Sequence, residues 1–327
     1  MSVPAPRALT DHVMTTTTPF DDELAVDFDA AAANVDYLLA LPGCGGLYLG
    51  SVYQEFWTLT MAERIELMRV VADAAAGRVP LVAGVSSASV QDTIELVAVA
   101  ESIGMDYLMI WPPIFGPRND EGVLDFYRQV LRTTRLPTFV YSTRLPELGY
   151  FLDNVGIQIL ADEFDHLYGV KDGTGDLTEF LDRTDTFGDR LQIGTPFEEY
   201  WALSRAAYPT KAADFILGSS RACYMQTRTS PYLHQMTTFI RCDRHAEAFA
   251  SLSRIRGLIR LQGESFARGV HPIALMKYAM SLTGHRGVAV RPPTPALSPG
   301  DQQRVQTLMA HARLLPQLRA TSVTTGV

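Results

Sequence analysis

Lysine is nearly absent from this chain. Of its 28 basic side chains only Lys171, Lys211 and Lys277 are lysines, and arginine supplies the rest. Arginine neither forms a Schiff base nor readily loses its proton. A lysine inside an apolar segment is therefore not a by-product of a lysine-rich composition. Cysteine is scarce too: Cys44, Cys223 and Cys242 are widely spaced and odd in number. That pattern offers no disulfide framework and no zinc spacing, and it fits a reducing compartment, so a cytoplasmic location is expected. The seven histidines show no metal-ligand spacing, and neither a metal nor an organic cofactor is expected. The formal charge is −8 without a long basic run, which argues against nucleic acid or an anionic membrane as partner. No apolar stretch reaches transmembrane length. The N-terminus lacks a basic segment followed by an apolar one, so no signal peptide is expected.

What is present is alternation. Apolar residues make up 47% of 327 residues, enough for a full-sized core. Short apolar runs recur with helical patterns between them. The runs are Val13 to Thr18, Leu47 to Leu49, Val79 to Gly84, Tyr107 to Trp111, Pro137 to Tyr141, Leu167 to Lys171, Leu191 to Gly194 and Ala213 to Gly218. Their continuous apolar character suits parallel strands covered by helices. Eight such units favour a closed (β/α)8 TIM barrel over a doubly wound sheet. Thr60 with Glu63 has capping-box spacing for a helix over 61–75. Residues 1–11 read as a loose N-terminal arm, 12–240 as the catalytic barrel and 241–327 as a C-terminal helical extension. Its clearest segments are Glu247 to Leu261, Ile273 to Leu282 and Gln302 to Leu315.

Lys171 ends an apolar strand and precedes the Gly-rich turn Gly173-Thr174-Gly175. Barrels place their chemistry where strands stop, and a dry lysine loses basicity and gains nucleophilicity. The bland alternatives are a snorkelling strand-end lysine or a pair with Asp172. Tyr141 ends the preceding strand and can relay protons beside an amine; an ordinary rim tyrosine is the other reading. Ser51 and nearby backbone N–H groups can hold an anion, or Ser51 is a solvated turn residue. Thr15 to Thr18 offer hydroxyls at the first strand end, although β propensity alone accounts for them. Arg144 can bind a distal carboxylate or face water. Glu55 can orient its loop or face water. Asp176 reads as a helix N-cap. His166 and His271 read as structural, Lys211 sits at the opposite barrel end, and Lys277 lies within a helix.

As a set these pieces resemble the dihydrodipicolinate synthase / N-acetylneuraminate lyase family of class I aldolases. The resemblance is carried by Thr17-Thr18-Pro19-Phe20, Gly50-Ser51 with Glu55 and Thr58-Leu59-Thr60, Gly77 to Gly84, Tyr141, and Tyr168 to Asp176. His271-Pro272-Ile273 with Lys277, Gly284 and Arg291-Pro292-Pro293 match its C-terminal signature. The resemblance implies a barrel with a helical extension in a homotetramer or homodimer. It also implies a Schiff base between Lys171 and a 2-oxo acid, usually pyruvate, with Tyr141 as relay. Ser51, Val52, Thr17 and Arg144 are the expected substrate contacts. The sequence also departs from the family pattern. The family's Gly-Thr-Thr-Gly-Glu loop is here Gly50-Ser51-Val52-Tyr53-Gln54-Glu55, one residue longer and without the second threonine hydroxyl. Pro112-Pro113-Ile114 replaces Pro-Tyr-Tyr, so the relay tyrosine lent by a neighbouring subunit is missing. Arg144 is only a stand-in for the dicarboxylate-binding arginine. The expected function is a lyase that makes or breaks a C–C bond of pyruvate or a related 2-oxo acid, with an aldehyde as possible co-substrate. Three alternatives stay open: a sugar-acid dehydratase like 5-dehydro-4-deoxyglucarate dehydratase, a hydratase-aldolase of aryl-substituted unsaturated pyruvates, and a non-catalytic 2-oxo acid binder or scaffold.

Overall fold

The computed structural model describes residues 6–145, 150–268 and 271–315. Eight strands alternate with helices. They are β1 (Asp11–Thr15), β2 (Cys44–Leu49), β3 (Leu81–Gly84), β4 (Tyr107–Ile110), β5 (Thr138–Thr143), β6 (Leu167–Gly173), β7 (Gln192–Gly194) and β8 (Phe215–Ser219). The intervening helices are α1 (Phe28–Leu39), α2 (Met61–Ala75), α3 (Val90–Ile103), α4 (Asp120–Leu131), α5 (Asn154–Glu163), α6 (Leu177–Phe187) and α7 (Glu198–Ala207). Each strand pairs in parallel with its sequence neighbour from β1 to β7, and β1 also pairs with β8. Between β7 and β8 the Leu217 N–H donates to the Thr195 carbonyl at 2.9 Å, which brings the sheet round into a barrel.

The period of two along each strand decides what lines the interior. Tyr48, Tyr107, Met109, Phe139, Tyr141 and Phe215 form one inner apolar cluster. Their chain neighbours Leu47, Leu49, Leu108, Ile110, Val140 and Ile216 belong to a second cluster packed under the helices. Val170 also lies in the outer cluster, so Lys171, one residue on, turns inward. The helices start where polar caps allow. Thr60 and Glu63 form the reciprocal capping box of α2, and the Asp176 carboxylate accepts from the Glu179 N–H to open α6.

After β8 come α8 (Arg221–Tyr224), α9 (Tyr232–Arg241), α10 (His245–Ser253), α11 (Arg256–Ala267), α12 (Ile273–Ser281) and α13 (Pro299–His311). Several expectations need correction. β1 stops at Thr15, not Thr18. β6 runs two residues beyond Lys171. The segment over 247–261 is two helices, broken at Arg254–Ile255. α9, which completes the barrel wall, was overlooked, although Leu233, Met236, Thr237 and Ile240 bury one helical face. Residues 6–10 are docked rather than loose. The Arg7 guanidinium binds both oxygens of Asp106, its carbonyl accepts from the Tyr107 hydroxyl, and Leu9 is buried. Residues 1–5, the tip of the expected arm, lie outside the described residues, as do 146–149 after Arg144.

The extension is bolted to the barrel mouth. Lys277 on α12 is fully buried and donates to Glu55 Oε1 at 3.0 Å and to the Thr18 carbonyl at 2.8 Å. The Arg291 N–H donates to Glu55 Oε2, and its guanidinium reaches both oxygens of Glu63 and the Leu24 carbonyl. Glu55 itself sits between two 3-10 turns at φ 54° and ψ 38°. The left-handed region is unfavourable for a side-chain-bearing residue, so the buried ion pair holds it there.

Candidate active site

At the C-terminal ends of the strands lies a cavity of about 360 Å³. Lys171 forms part of its wall and is only 6% exposed. Its Nζ stands 4.8 Å from the Tyr48 ring centroid and 4.6 Å from that of Tyr141. Burial lowers the Lys171 amine to about 7, because a cation loses hydration there and among the described residues no carboxylate compensates. Asp172 is not its partner. The next residue on a strand faces the other way, and the Asp172 carboxylate binds Arg183 at 2.6 Å and the Thr174 hydroxyl at 2.7 Å outside the barrel. Lys277 is the contrast: burial lowers its pKa too, but Glu55 opposes the shift.

Tyr141 is the register partner of Lys171 across the β5–β6 pair. Burial raises its phenol to about 12, with the Thr143 hydroxyl opposing. It is therefore a proton donor at neutral pH. Trp111 stands edge-on to Tyr141 at 4.7 Å, and its indole N–H donates to the Tyr48 hydroxyl at 3.0 Å. This aromatic frame limits where the amine can swing. Gly218, at φ +74°, completes it: a Cβ there would lie 2.7 Å from Lys171 Nζ. Across the cavity the hydroxyls of Thr15 and Ser51 share a hydrogen bond of 2.5 Å. Ser51 precedes a 3-10 turn over Val52–Gln54. Among the described residues the N–H groups of Val52 and Tyr53 make no hydrogen bond.

The far wall is polar and comes from distant parts of the chain. Arg221 donates through Nε to Gln262 Oε1 at 2.9 Å, and Gln262 Nε2 donates to Ser220 Oγ at 3.1 Å. Ser220 in turn donates to the Tyr53 hydroxyl at 2.9 Å. Arg221 Nη1 reaches Glu198 at 3.0 Å and Glu199 at 2.7 Å. Burial works against the Arg221 charge, but the two glutamates more than offset it. His271 also lines the cavity, edge-on to Tyr53 and Phe266. Burial, reinforced by the Lys171 charge, lowers His271 to about 3, so it is a neutral ring.

A model of the dihydrodipicolinate synthetase family matches residues 9–214. The chain belongs to that family. Among curated relatives, 4-hydroxy-tetrahydrodipicolinate synthase of Chelativorans sp. (strain BNC1) is 31% identical over 177 residues, 54% of this chain and 60% of that protein. The chain spans only 59% to 60% of the length of the first curated relatives it matches. A probable 5-dehydro-4-deoxyglucarate dehydratase of Ralstonia nicotianae is 26% identical over 313 residues, 93% of each chain. Among solved structures, a prophage protein of the dihydrodipicolinic acid synthase family from E. coli K12, in complex with pyruvate, superposes with a TM-score of 0.80. That match has 19% identity and covers 94% of this chain and 99% of the other.

Of the family-type site residues, Lys171, Tyr141, Ser51 and Val52 meet in one cavity. Val52 offers it an apolar side chain that also packs on Ile273. Thr17 does not line the cavity: its hydroxyl is buried against His285 Nε2 at 3.1 Å, and Thr15 occupies the place expected for it. Arg144 reaches the rim, but its guanidinium lies 3.9 Å over the Phe151 ring and binds Glu179 at 2.9 Å. Trp111, which the sequence places with Ile114 and Phe115 at an apolar mouth, does line the cavity; Tyr53, Arg221 and Gln262 were missed, and His271 was read as structural. Gly218-Ser219-Ser220-Arg221 spans the end of β8 and could have signalled Arg221. Nothing local marks Gln262, which reaches the mouth from α11.

Proposed function

We propose that the protein is a lyase that acts on pyruvate or a related 2-oxo acid through an imine on Lys171. The observation that carries this reading is a nearly dry amine, without a carboxylate partner among the described residues, opening onto a cavity at the catalytic end of a barrel. At neutral pH a substantial share of such an amine is unprotonated. Its lone pair adds to the ketone carbon, and the carbinolamine loses water after proton transfer. The protonated imine then accepts the electron pair released from the neighbouring carbon. Tyr141 moves protons to and from the carbinolamine oxygen and the departing fragment. The Ser51 hydroxyl, held by Thr15, and the N–H groups of Val52 and Tyr53 bind the 2-oxo acid carboxylate.

The outcome favoured is making or breaking a C–C bond. Support comes from the family's lyases, from a protein of that fold solved with pyruvate, and from the aromatic side chains Trp111 and Phe197 that line the cavity. Loss of water is the second reading, favoured by the dehydratase relative that matches along nearly the whole chain. Both run through the same imine. The same membership supports a homotetramer or homodimer, which sedimentation checks.

Borohydride reduction in the presence of pyruvate is the test. The expected result is a stable adduct on the peptide that carries Lys171, lost in Lys171→Met. No adduct with pyruvate or a broad 2-oxo acid panel would overturn the imine and leave a binding or scaffold role. Product analysis then separates the readings: two carbon fragments for cleavage, one dehydrated skeleton for water loss.

A further inference from the structure

The polar far wall can be read by counting donors and acceptors. The hydrogen bonds run one way, from Arg221 Nε to Gln262, from Gln262 to Ser220, and from Ser220 to the Tyr53 oxygen. A phenol that accepts still has its own proton to donate. Among the described residues nothing accepts that proton. Arg221 Nη2 is likewise without a hydrogen bond there, because Nε and Nη1 take all the recorded partners. It is also absent from the fully buried polar atoms that lack partners, so it is reached from open space. Both residues line the cavity that contains Lys171. The two ends of the chain, the Tyr53 hydroxyl and Arg221 Nη2, therefore each keep a donor to spare on the same space.

Charge narrows what can satisfy them. One guanidinium already faces two carboxylates, those of Glu198 and Glu199. A further carboxylate would enter a cluster with no cationic surplus, where like charges disfavour it. A hydroxyl or carbonyl oxygen takes both donors without that penalty. We infer that Tyr53 and Arg221 form a distal subsite for an uncharged oxygen at the end of the substrate remote from its 2-oxo acid group. This rests on the imine at Lys171 for the near end. It departs from the rim placement of Arg144, whose guanidinium is engaged by Glu179 and Phe151.

The test uses the whole protein and the concentration dependence of borohydride trapping. Three classes of five- and six-carbon 2-oxo acid are compared: unsubstituted (2-oxopentanoate, 2-oxohexanoate), ω-hydroxylated, and terminally carboxylated (2-oxoglutarate, 2-oxoadipate). A site built to bond a substrate oxygen discriminates strongly against an analogue that lacks it. The hydroxylated acid of one chain length is expected to half-saturate at about ten-fold lower concentration than its unsubstituted partner, with the dicarboxylate weakest. In Tyr53→Phe and Arg221→Lys the hydroxyl-to-unsubstituted ratio should collapse toward unity. The ratio is read within each variant, so a general loss of imine formation cancels. Equal trapping of hydroxylated and unsubstituted acids by the wild-type protein overturns the subsite, as does preference for the dicarboxylate. So does a hydroxyl preference that survives both substitutions. If a variant does not fold, the wild-type ranking alone decides. Failure to trap any acid, pyruvate included, removes the imine and this subsite together, whereas pyruvate trapping without hydroxyl preference removes only the subsite.

Discussion

Three lysines sit in three electrostatic settings. Lys211 is solvent-facing between Asp185 and Asp189, Lys277 is buried with Glu55, and Lys171 is buried with aromatic faces and, among the described residues, no carboxylate. Only the last carries a large folding penalty for its proton. An unfolded lysine titrates near 10.4, whereas burial lowers Lys171 to about 7. Between those values the unfolded chain binds a proton that the folded chain does not, so stability rises with pH across that window. Lys171→Met should be more stable than wild type below pH 7, by on the order of a few kcal/mol. The gap should close by about pH 10; urea titrations at several pH values measure it, and a constant gap would contradict the dry amine. Tyr141→Phe removes the relay proton but keeps the wall. Imine trapping should become slower but still go to completion, while turnover falls by about 10²- to 10⁴-fold. Unimpaired turnover would reduce Tyr141 to packing.

At the scale of elements, the site depends on how strand ends and loops are held. Gly218, one residue before the end of β8, takes a left-handed conformation against the amine. Gly218→Ala should lower the melting temperature, because the left-handed backbone is strained, and weaken trapping at Lys171, because the Cβ pushes Nζ from its place. Full trapping in that variant would place the amine elsewhere. The β2 loop depends on Glu55, which ties it to α12. Glu55→Gln keeps the shape but leaves Lys277 a buried, unpaired cation, at a cost of about 3–5 kcal/mol. Glu55→Gln/Lys277→Met should recover much of that loss, and denaturant titration of the double-mutant cycle reads the coupling. Strands and helices were largely legible at this scale, since α2 and its capping box depend on neighbouring residues alone. α9 was missed although its buried positions keep helical spacing. Glu247 to Leu261 was read as continuous because no proline or glycine marks the break at Arg254–Ile255.

For the molecule as a whole, the extension and barrel share one set of buried contacts. Lys277 reaches Glu55 across 222 residues of sequence, and Arg291 reaches Glu63 across 228. The pair of bodies should therefore unfold together. All three tryptophans, Trp57, Trp111 and Trp201, lie in the barrel, so their fluorescence reports the barrel while far-UV circular dichroism reports every helix. The two transitions are expected to coincide, and in Arg291→Ala both should move to lower denaturant concentration. A separate, earlier loss of helix signal would show an extension that folds on its own. No helix among the described residues is long and apolar enough to cross a membrane.

The alternation of strand and helix, the inward parity of Lys171 and Tyr141, and the cap that starts each of several helices follow from residues within a few positions of one another. Local periodicity and hydrogen bonding carry that information, and the chain alone determined it. Which hydroxyl stands beside Ser51, where Arg144 comes to rest, and what makes up the far wall of the cavity were decided only by the fold. Ser220 and Tyr53 are 167 residues apart, and Gln262 comes from a helix outside the barrel. Their meeting follows from barrel closure and the docking of α11 and α12, and no local pattern encodes which side chains those two events bring into contact.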